Sequence, residues 1–169
     1  MLMVISAPVL AWEVDWNPVS VQLIAEHALI QPGGHTRVGI LFNIAEGWHI
    51  YAKDPGDAGL PTAITFGGPY GTVFEALVWP IPHVFEDPGG IKTFGYSGTV
   101  VLSSTLRYSV FPARSRAPEV IPIKAYVRWL ACKEICVPGS AQLELALPIS
   151  SHPPVPSPQA PLFEQATGS

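Results

Sequence analysis

Prolines and glycines occur at short intervals along this chain, and their frequency is the strongest constraint on its fold. There are 19 prolines and 15 glycines among 169 residues. Proline breaks helix interiors and glycine weakens them, so long helices are excluded. Apolar residues alternate between the turns, most clearly at Val38, Ile40, Phe42 and Ile44, which share one face of a predicted strand over residues 37–44. We therefore predict an all-β protein.

Further strands are predicted wherever a short apolar run lies between turn residues. These runs are residues 19–29, the start of 47–62, then 63–66, 73–78, 99–108, 121–129 and 143–147. About seven or eight short strands of this kind are typical of a β-sandwich, and we predict an immunoglobulin-like one with long connecting loops. Residues 79–98, rich in proline and glycine, are predicted to form an irregular loop outside the core.

The two ends of the chain differ in composition from its middle. Residues 1–11 are apolar and end in Val-Leu-Ala, which fits either the remnant of a secretory signal cleaved after Ala11 or an apolar first strand. Residues 150–161 contain five prolines and are predicted to form an extended linker. We therefore divide the chain into a signal remnant (1–11), one folded domain (12–148) and a Pro/Ser-rich linker or tail (149–169).

Overall composition narrows the classes of function. A hydrophobic content of 48% is sufficient for one well-buried domain of this length. The net charge is −4, and only nine lysines and arginines are spread along the chain, which argues against a nucleic-acid surface or a patch for anionic membranes. No apolar run approaches the roughly 18 residues of a membrane span.

The two cysteines, Cys132 and Cys136, carry the most reactive chemistry in the chain. On an extended strand they would lie roughly 13 Å apart, whereas a disulfide needs Cα atoms within about 7 Å. If they bond, the chain between them must bend tightly, which would place the flanking strands side by side. A disulfide that closes such a short loop would add only about 2 kcal/mol of stability. The bond is therefore better suited to reversible exchange than to stabilising the fold.

The residues alone leave three interpretations of this pair open. Thiol-disulfide exchange is one, and a structural disulfide, common in exported proteins, is the second. The third is a metal site, for which His49 and His83 are the candidate additional ligands and copper(I) the metal that thiolates would prefer. Lys133 would favour a thiolate and Glu134 would oppose it, so the local charge does not decide between these interpretations.

Three segments together resemble a known family. Trp-Leu-Ala-Cys-Lys-Glu-Ile-Cys-Val-Pro at 129–138, Gly-Trp-His-Ile-Tyr at 47–51 and Asp-Pro-Gly-Asp-Ala-Gly-Leu-Pro-Thr at 54–62 resemble the N-terminal periplasmic domain of the membrane thiol:disulfide interchange proteins. These are the DsbD family and its ScsB-like branch, and the resemblance covers residues 12–147. The spacing of three residues between the cysteines is similar to the ScsB-like branch, whereas better-studied members have five.

The resemblance implies roles for individual residues. Cys136 would form the mixed disulfide with a partner protein, and Cys132 would resolve it. Tyr51 matches a family tyrosine beside the cysteines, and His49 stands where some members have another. A family cap loop should fall within residues 82–94, with Phe85 as our first choice for its shielding aromatic.

Several other residues have competing interpretations. Phe94 is our second choice for the aromatic of the cap. Trp48 and Trp129 are expected in the core, and Trp129 would also support the site from there. A pair of aspartates, Asp54 and Asp57, is expected to shape its loop through Asx-type turns. Another acidic pair, Glu86-Asp87, could tune the cysteine potential if the cap closes over the bend.

The sequence therefore predicts an exported, periplasmic exchange domain of the protein-disulfide reductase type, possessing no cofactor beyond its cysteines. Through the resemblance, its expected partners are periplasmic thioredoxin-fold proteins and the membrane and thioredoxin-like domains of the same interchange protein, which would tether it to the inner membrane. The alternative is a non-catalytic exported binding module with a structural disulfide, for which copper is a candidate ligand.

Overall fold

The computed structural model describes residues 16–109 and 119–165. These residues form ten strands and one short helix. In chain order they are β1 (Val19–Ala25), β2 (His35–Ile44), β3 (His49–Gly56), β4 (Ala63–Gly67), β5 (Thr72–Phe74), β6 (His83–Asp87), β7 (Ile91–Tyr96), β8 (Thr99–Tyr108), β9 (Val120–Cys132), β10 (Cys136–Pro148) and α1 (Ala160–Gln165). Within these ranges, no helix has the length and apolar character needed to cross a bilayer.

The strands form two antiparallel sheets that enclose one main core. The first sheet has the order β1-β2-β8-β5, and the second has the order β10-β9-β3-β7-β6, with β4 pairing β9 beside β3. Alternate residues of β2 and β9 point into the core, as their apolar periodicity predicts. The predicted immunoglobulin-like β-sandwich is therefore confirmed.

The loop predicted over residues 79–98 is partly wrong, because it contains the hairpin of β6 and β7. The turn between these strands includes Gly89 and Gly90, whose φ angles of 96° and 79° lie in the left-handed region that glycine adopts readily. Strand β7 pairs β3 on one side and β6 on the other, and it buries Thr93 and Tyr96. This hairpin was not predicted from the sequence, because its two strands are short and their apolar residues show little alternation.

The C-terminal segment also differs from the extended, unpacked linker that the sequence predicts. The backbone N–H of Ala28 donates to the carbonyl of Val155 at 2.8 Å, and that of Ser157 donates to the carbonyl of Glu26 at 2.8 Å. Helix α1 then buries Phe163 completely. The prolines do favour an extended backbone, but an apolar anchor beyond them attaches the segment to the domain.

Phe163 packs on the outer face of the first sheet, away from the main core. Its apolar neighbours there are Ile24, Leu41 and Val101. Arg37 reinforces the contact, since its guanidinium lies 5.5 Å from the Phe163 ring centroid and pairs with both Glu26 and Glu164. The first sheet is thus covered on both faces at this point. The proposed signal remnant at residues 1–11 lies outside the described residues.

We expect Phe163→Ala to lower the free energy of unfolding by about 3 kcal/mol, the lower end for a buried Phe→Ala change, because the tail can detach. Val155→Ala is the matched control, since its side chain is exposed in the same segment and the change should stay within about 0.5 kcal/mol. Urea unfolding of both variants measures the difference. Equal midpoints for Phe163→Ala and the wild type would show that the tail does not pack in solution.

Candidate functional site

The two cysteines form a disulfide across the end of the β9–β10 hairpin. Cys132 is the last residue of β9 and Cys136 the first of β10, and the two are direct register partners with Cα atoms 4.1 Å apart. Lys133, Glu134 and Ile135 form the connecting loop. The tight bend and the neighbouring strands expected from the cysteine spacing are therefore both confirmed.

The two halves of the disulfide differ sharply in exposure. Cys132 is only 3% exposed, whereas Cys136 and the three loop residues are exposed. Ile135 at the loop tip is 65% exposed, which places an apolar side chain beside the accessible cysteine. A thiolate approaching from solvent therefore reaches Cys136 before Cys132.

Cys132 is covered although it lies on the outer face of the second sheet. Along β9 the odd-numbered residues, including Trp129 and Ala131, point into the core, so Cys132 points away from it. Its register partner on β3 is His49. Residues directly opposite in an antiparallel pair share a face, so the His49 side chain is the immediate neighbour of Cys132 on this outer face.

Two further aromatic rings pack against His49 on this outer face. Tyr51, two residues further along β3, shares its face, and the two rings meet edge to face with centroids 5.2 Å apart. From β6, Phe85 stacks on His49 with ring centroids 4.3 Å apart and an interplanar angle of 15°. These three rings and Cys132 form a small outer cluster, which we call the outer aromatic cluster.

The β6–β7 hairpin supplies Phe85 to this cluster, and Phe94 points elsewhere. Phe94 packs against the main core, close to Gly56, where an added Cβ would lie 3.1 Å from its ring. On β7, Gly95 pairs with Tyr51, and a Cβ there would lie 2.0 Å from the carbonyl oxygen of Ile50. A glycine at this position therefore lets β7 lie close to β3.

A loop between β3 and β4 covers Tyr51 from the other side. Gly59 has a φ of 95°, and a Cβ there would lie 2.4 Å from the Tyr51 ring. The Thr62 hydroxyl donates to the Tyr51 carbonyl at 2.7 Å. Asp54 accepts from the Gly56 N–H at 3.0 Å in an Asx-type turn, and Asp57 accepts from the Lys92 N–H at 2.9 Å, which ties the loop to β7.

Burial controls the protonation of the cluster. Desolvation lowers the pKa of His49 below its ordinary value, and the charge of Asp87 opposes this shift. Desolvation also raises the pKa of Tyr51, with Asp87 adding to that shift. His49 is therefore neutral and Tyr51 protonated at neutral pH. Among the described residues, His49 Nε2 has no hydrogen-bond partner.

The tryptophans lie in the core, as predicted. Trp48 and Trp129 are both buried. Trp129 meets Phe42 edge to face with centroids 6.1 Å apart and lies over Gly139, where an added Cβ would be 2.2 Å from the indole. Trp129 therefore supports the β9–β10 hairpin from the inner face and lies on the side of the sheet opposite the outer aromatic cluster.

The two histidines considered as metal ligands lie in different settings. His49 is buried beside Cys132, whereas His83 is exposed on the edge strand β6. In residues 16–109 and 119–165, no group of three or more His, Cys, Asp or Glu side chains is placed to hold a metal ion.

The cover of the site was not predicted from the sequence. Phe85 was predicted to lie in a loop, although the turn 87–90, Asp-Pro-Gly-Gly, is a recognisable hairpin signal. The position of Gly59 over Tyr51 was not predicted either, because that contact depends on the path of the loop and no local pattern encodes it. The position of the Lys133 side chain near Gly47, where an added Cβ would lie 3.0 Å from Lys133 Cε and Nζ, was equally unforeseen.

Comparison with known proteins identifies a protein family and solved structures that are similar to this chain. A family model for the N-terminal region of the thiol:disulfide interchange protein DsbD matches residues 20–148. The crystal structure of the N-terminal periplasmic domain of ScsB from Proteus mirabilis aligns with a TM-score of 0.62 and 22% identity, over 90% of this chain and 54% of that chain. The chain thus spans about half of the ScsB structure, with which it shares its fold.

A second solved structure is more distant. The reduced N-terminal domain of DsbD from Neisseria meningitidis aligns with a TM-score of 0.41 and 16% identity, over 75% of this chain and 86% of that chain. Comparison with curated protein sequences gives no match.

Phe85→Ala should make Cys132 more accessible, because it removes the ring stacked on the histidine that lies opposite this cysteine. In a Cys136→Ala background, we expect iodoacetamide to alkylate Cys132 at least about threefold faster than without the change, since thiol reactivity depends on access. Val84→Ala is the control, because Val84 is the exposed neighbour of Phe85 on the same strand. Equal rates in the two variants would mean that Phe85 does not shield Cys132.

Proposed function

The chain belongs to the family of N-terminal domains of the thiol:disulfide interchange protein DsbD, and from this premise we propose that it relays electrons in the periplasm by thiol-disulfide exchange. Its Cys132–Cys136 pair would take electrons from membrane and thioredoxin-like domains of an interchange protein. It would pass them to disulfides of periplasmic thioredoxin-fold proteins. No cofactor is needed, because the two cysteines carry both electrons.

The unequal exposure of the two cysteines is the observation that carries this proposal. In the reduced domain, the Cys136 thiolate attacks one sulfur of a partner disulfide, and the other partner sulfur leaves as a thiolate. Cys132 then attacks Cys136 Sγ, which breaks the bond to the partner and releases its second thiolate. The partner gains two electrons and this domain gains the Cys132–Cys136 disulfide.

The position of the disulfide allows it to open without loss of the fold. The β9–β10 ladder continues over 13 register pairs from the cysteines to the far end of the hairpin. A bond between residues that the ladder already holds side by side adds little, since its loop is short. The main core lies on the other face of the sheet from Cys132. Reduction therefore leaves the ladder and the core in place.

We expect Cys132→Ala to accumulate a mixed disulfide with a purified oxidised thioredoxin-fold protein, because Cys136 can still attack and the resolving thiol is gone. Cys136→Ala should form no such complex, since its remaining cysteine is buried. Non-reducing electrophoresis and mass spectrometry measure the adduct, with the double Cys132→Ala/Cys136→Ala variant as control. Trapping by Cys136→Ala, or by neither single variant, would contradict the assigned roles.

The redox potential of the pair separates this proposal from the structural-disulfide alternative. We expect a value of roughly −180 to −270 mV, the range of exchange proteins, in equilibrium with glutathione or dithiothreitol buffers. Far-UV circular dichroism should remain unchanged on reduction. A potential below about −300 mV together with unfolding on reduction would instead assign the bond a structural role.

A further inference from the structure

We propose that His49 accepts the proton of Cys132 when this cysteine resolves the mixed disulfide. The inference rests on the exchange function proposed above and assigns a base to its second step. Cys132 is the thiol that most needs one, because it is 3% exposed and water has little access to it. A buried thiol also resists ionisation, since burial disfavours the thiolate.

Register places the imidazole beside this thiol. His49 and Cys132 are opposite each other in the β3–β9 pair. Such side chains share a face, with Cβ atoms about 4.5–5.5 Å apart. Both residues lie beneath the same cover, because His49 is 7% exposed and stacks against Phe85. No other element of the described structure lies between these two strands.

In the oxidised protein, one ring nitrogen of His49 is available to accept a proton. Within residues 16–109 and 119–165, His49 Nε2 is buried and lacks a hydrogen-bond partner, and buried polar atoms without partners are rare. Cys132 cannot supply a proton while it is in the disulfide. Reduction creates an S–H group on the facing strand at this register, which would give Nε2 the donor that it lacks.

The groups around His49 suit a neutral base that becomes charged only transiently. On its own strand, Tyr51 stays protonated because burial raises its pKa. From β6, the carboxylate of Asp87 favours the imidazolium once it forms, while burial favours the neutral ring. In the hairpin loop, Lys133 and Glu134 are exposed, and the Lys133 side chain occupies the space that a Cβ at Gly47 would enter.

The resolving step is then balanced in protons and electrons. The S–H proton of Cys132 moves to His49 Nε2 as its sulfur attacks Cys136 Sγ. The Cys136–partner bond breaks, and the partner sulfur leaves with the electron pair as a thiolate. The imidazolium afterwards returns its proton to the leaving thiolate or to water. One disulfide forms, one breaks, and His49 is restored.

This role makes a specific prediction about pH. With a neutral histidine as base, the rate of resolution should be nearly constant from about pH 6.5 to pH 8, between the ordinary pKa values of histidine and a thiol. Without a base, resolution depends on spontaneous ionisation of Cys132. The rate should then rise about tenfold per pH unit in the same interval, as the thiolate fraction does below the thiol pKa.

This step can be measured without a protein partner by using the chromogenic disulfide dithiobis(nitrobenzoate). Cys136 of the reduced protein releases one thionitrobenzoate in a phase that depends on reagent concentration. Resolution by Cys132 releases the second in a phase that does not. Stopped-flow traces of the second phase across this pH range are compared for the wild type, His49→Gln and His49→Phe. His83→Gln is the matched control, because its histidine is exposed on the same hairpin as Phe85.

We expect a flat profile for the wild type and for His83→Gln, and a slope of about one in log rate against pH for both His49 variants. His49→Phe keeps a ring to stack on Phe85, whereas His49→Gln keeps a polar side chain, so a shared slope cannot come from lost packing alone. Flat profiles in the His49 variants, whatever their absolute rates, would overturn the inference and leave the exchange function intact. Absence of the second phase in the wild type would overturn the exchange function, and the role of His49 with it.

Discussion

The register of β9 is the constraint on which the site depends. Its pairing with β10 places Cys132 opposite Cys136, and its pairing with β3 places Cys132 opposite His49. Because side chains alternate across a strand, a slip of one residue would turn Cys132 into the core and move Trp129 out of it. The buried apolar face of β9 prevents this slip, so the same residues that form the core also align the cysteines.

In the second sheet, the residues that stabilise the fold and the residues of the disulfide site lie on opposite faces. Its inner face packs against the first sheet and forms the main core. Its outer face carries the disulfide and the outer aromatic cluster, to which the β6–β7 hairpin of the same sheet contributes Phe85, and the loop between β3 and β4 lies over Tyr51. Changes at the disulfide therefore act on a small local cluster, and the large apolar core that stabilises the domain is left undisturbed.

How far the sequence predicted the fold and the site depends on the range of the interactions involved. The alternation in β2 and β9, the bend at the cysteines and the core tryptophans follow from local patterns, and each was predicted. The β6–β7 hairpin was missed because its strands are short and partly exposed on both faces. The docked tail was missed because Phe163 meets Ile24, Leu41 and Val101, all far from it in sequence.

The sequence by itself determined that this chain is a β-sandwich and that any bond between its two cysteines requires a tight bend, because strand periodicity and cysteine spacing act over a few residues. It also contained the family resemblance that led to Phe85 and His49 as candidates. Only the tertiary structure decided that Cys132 is buried, that Cys136 is exposed and that His49 lies opposite the buried cysteine on the neighbouring strand. The burial of a residue depends on contacts from β3, β6, β9 and the loops between them together. No local pattern in the sequence encodes contacts among elements that lie so far apart in the chain.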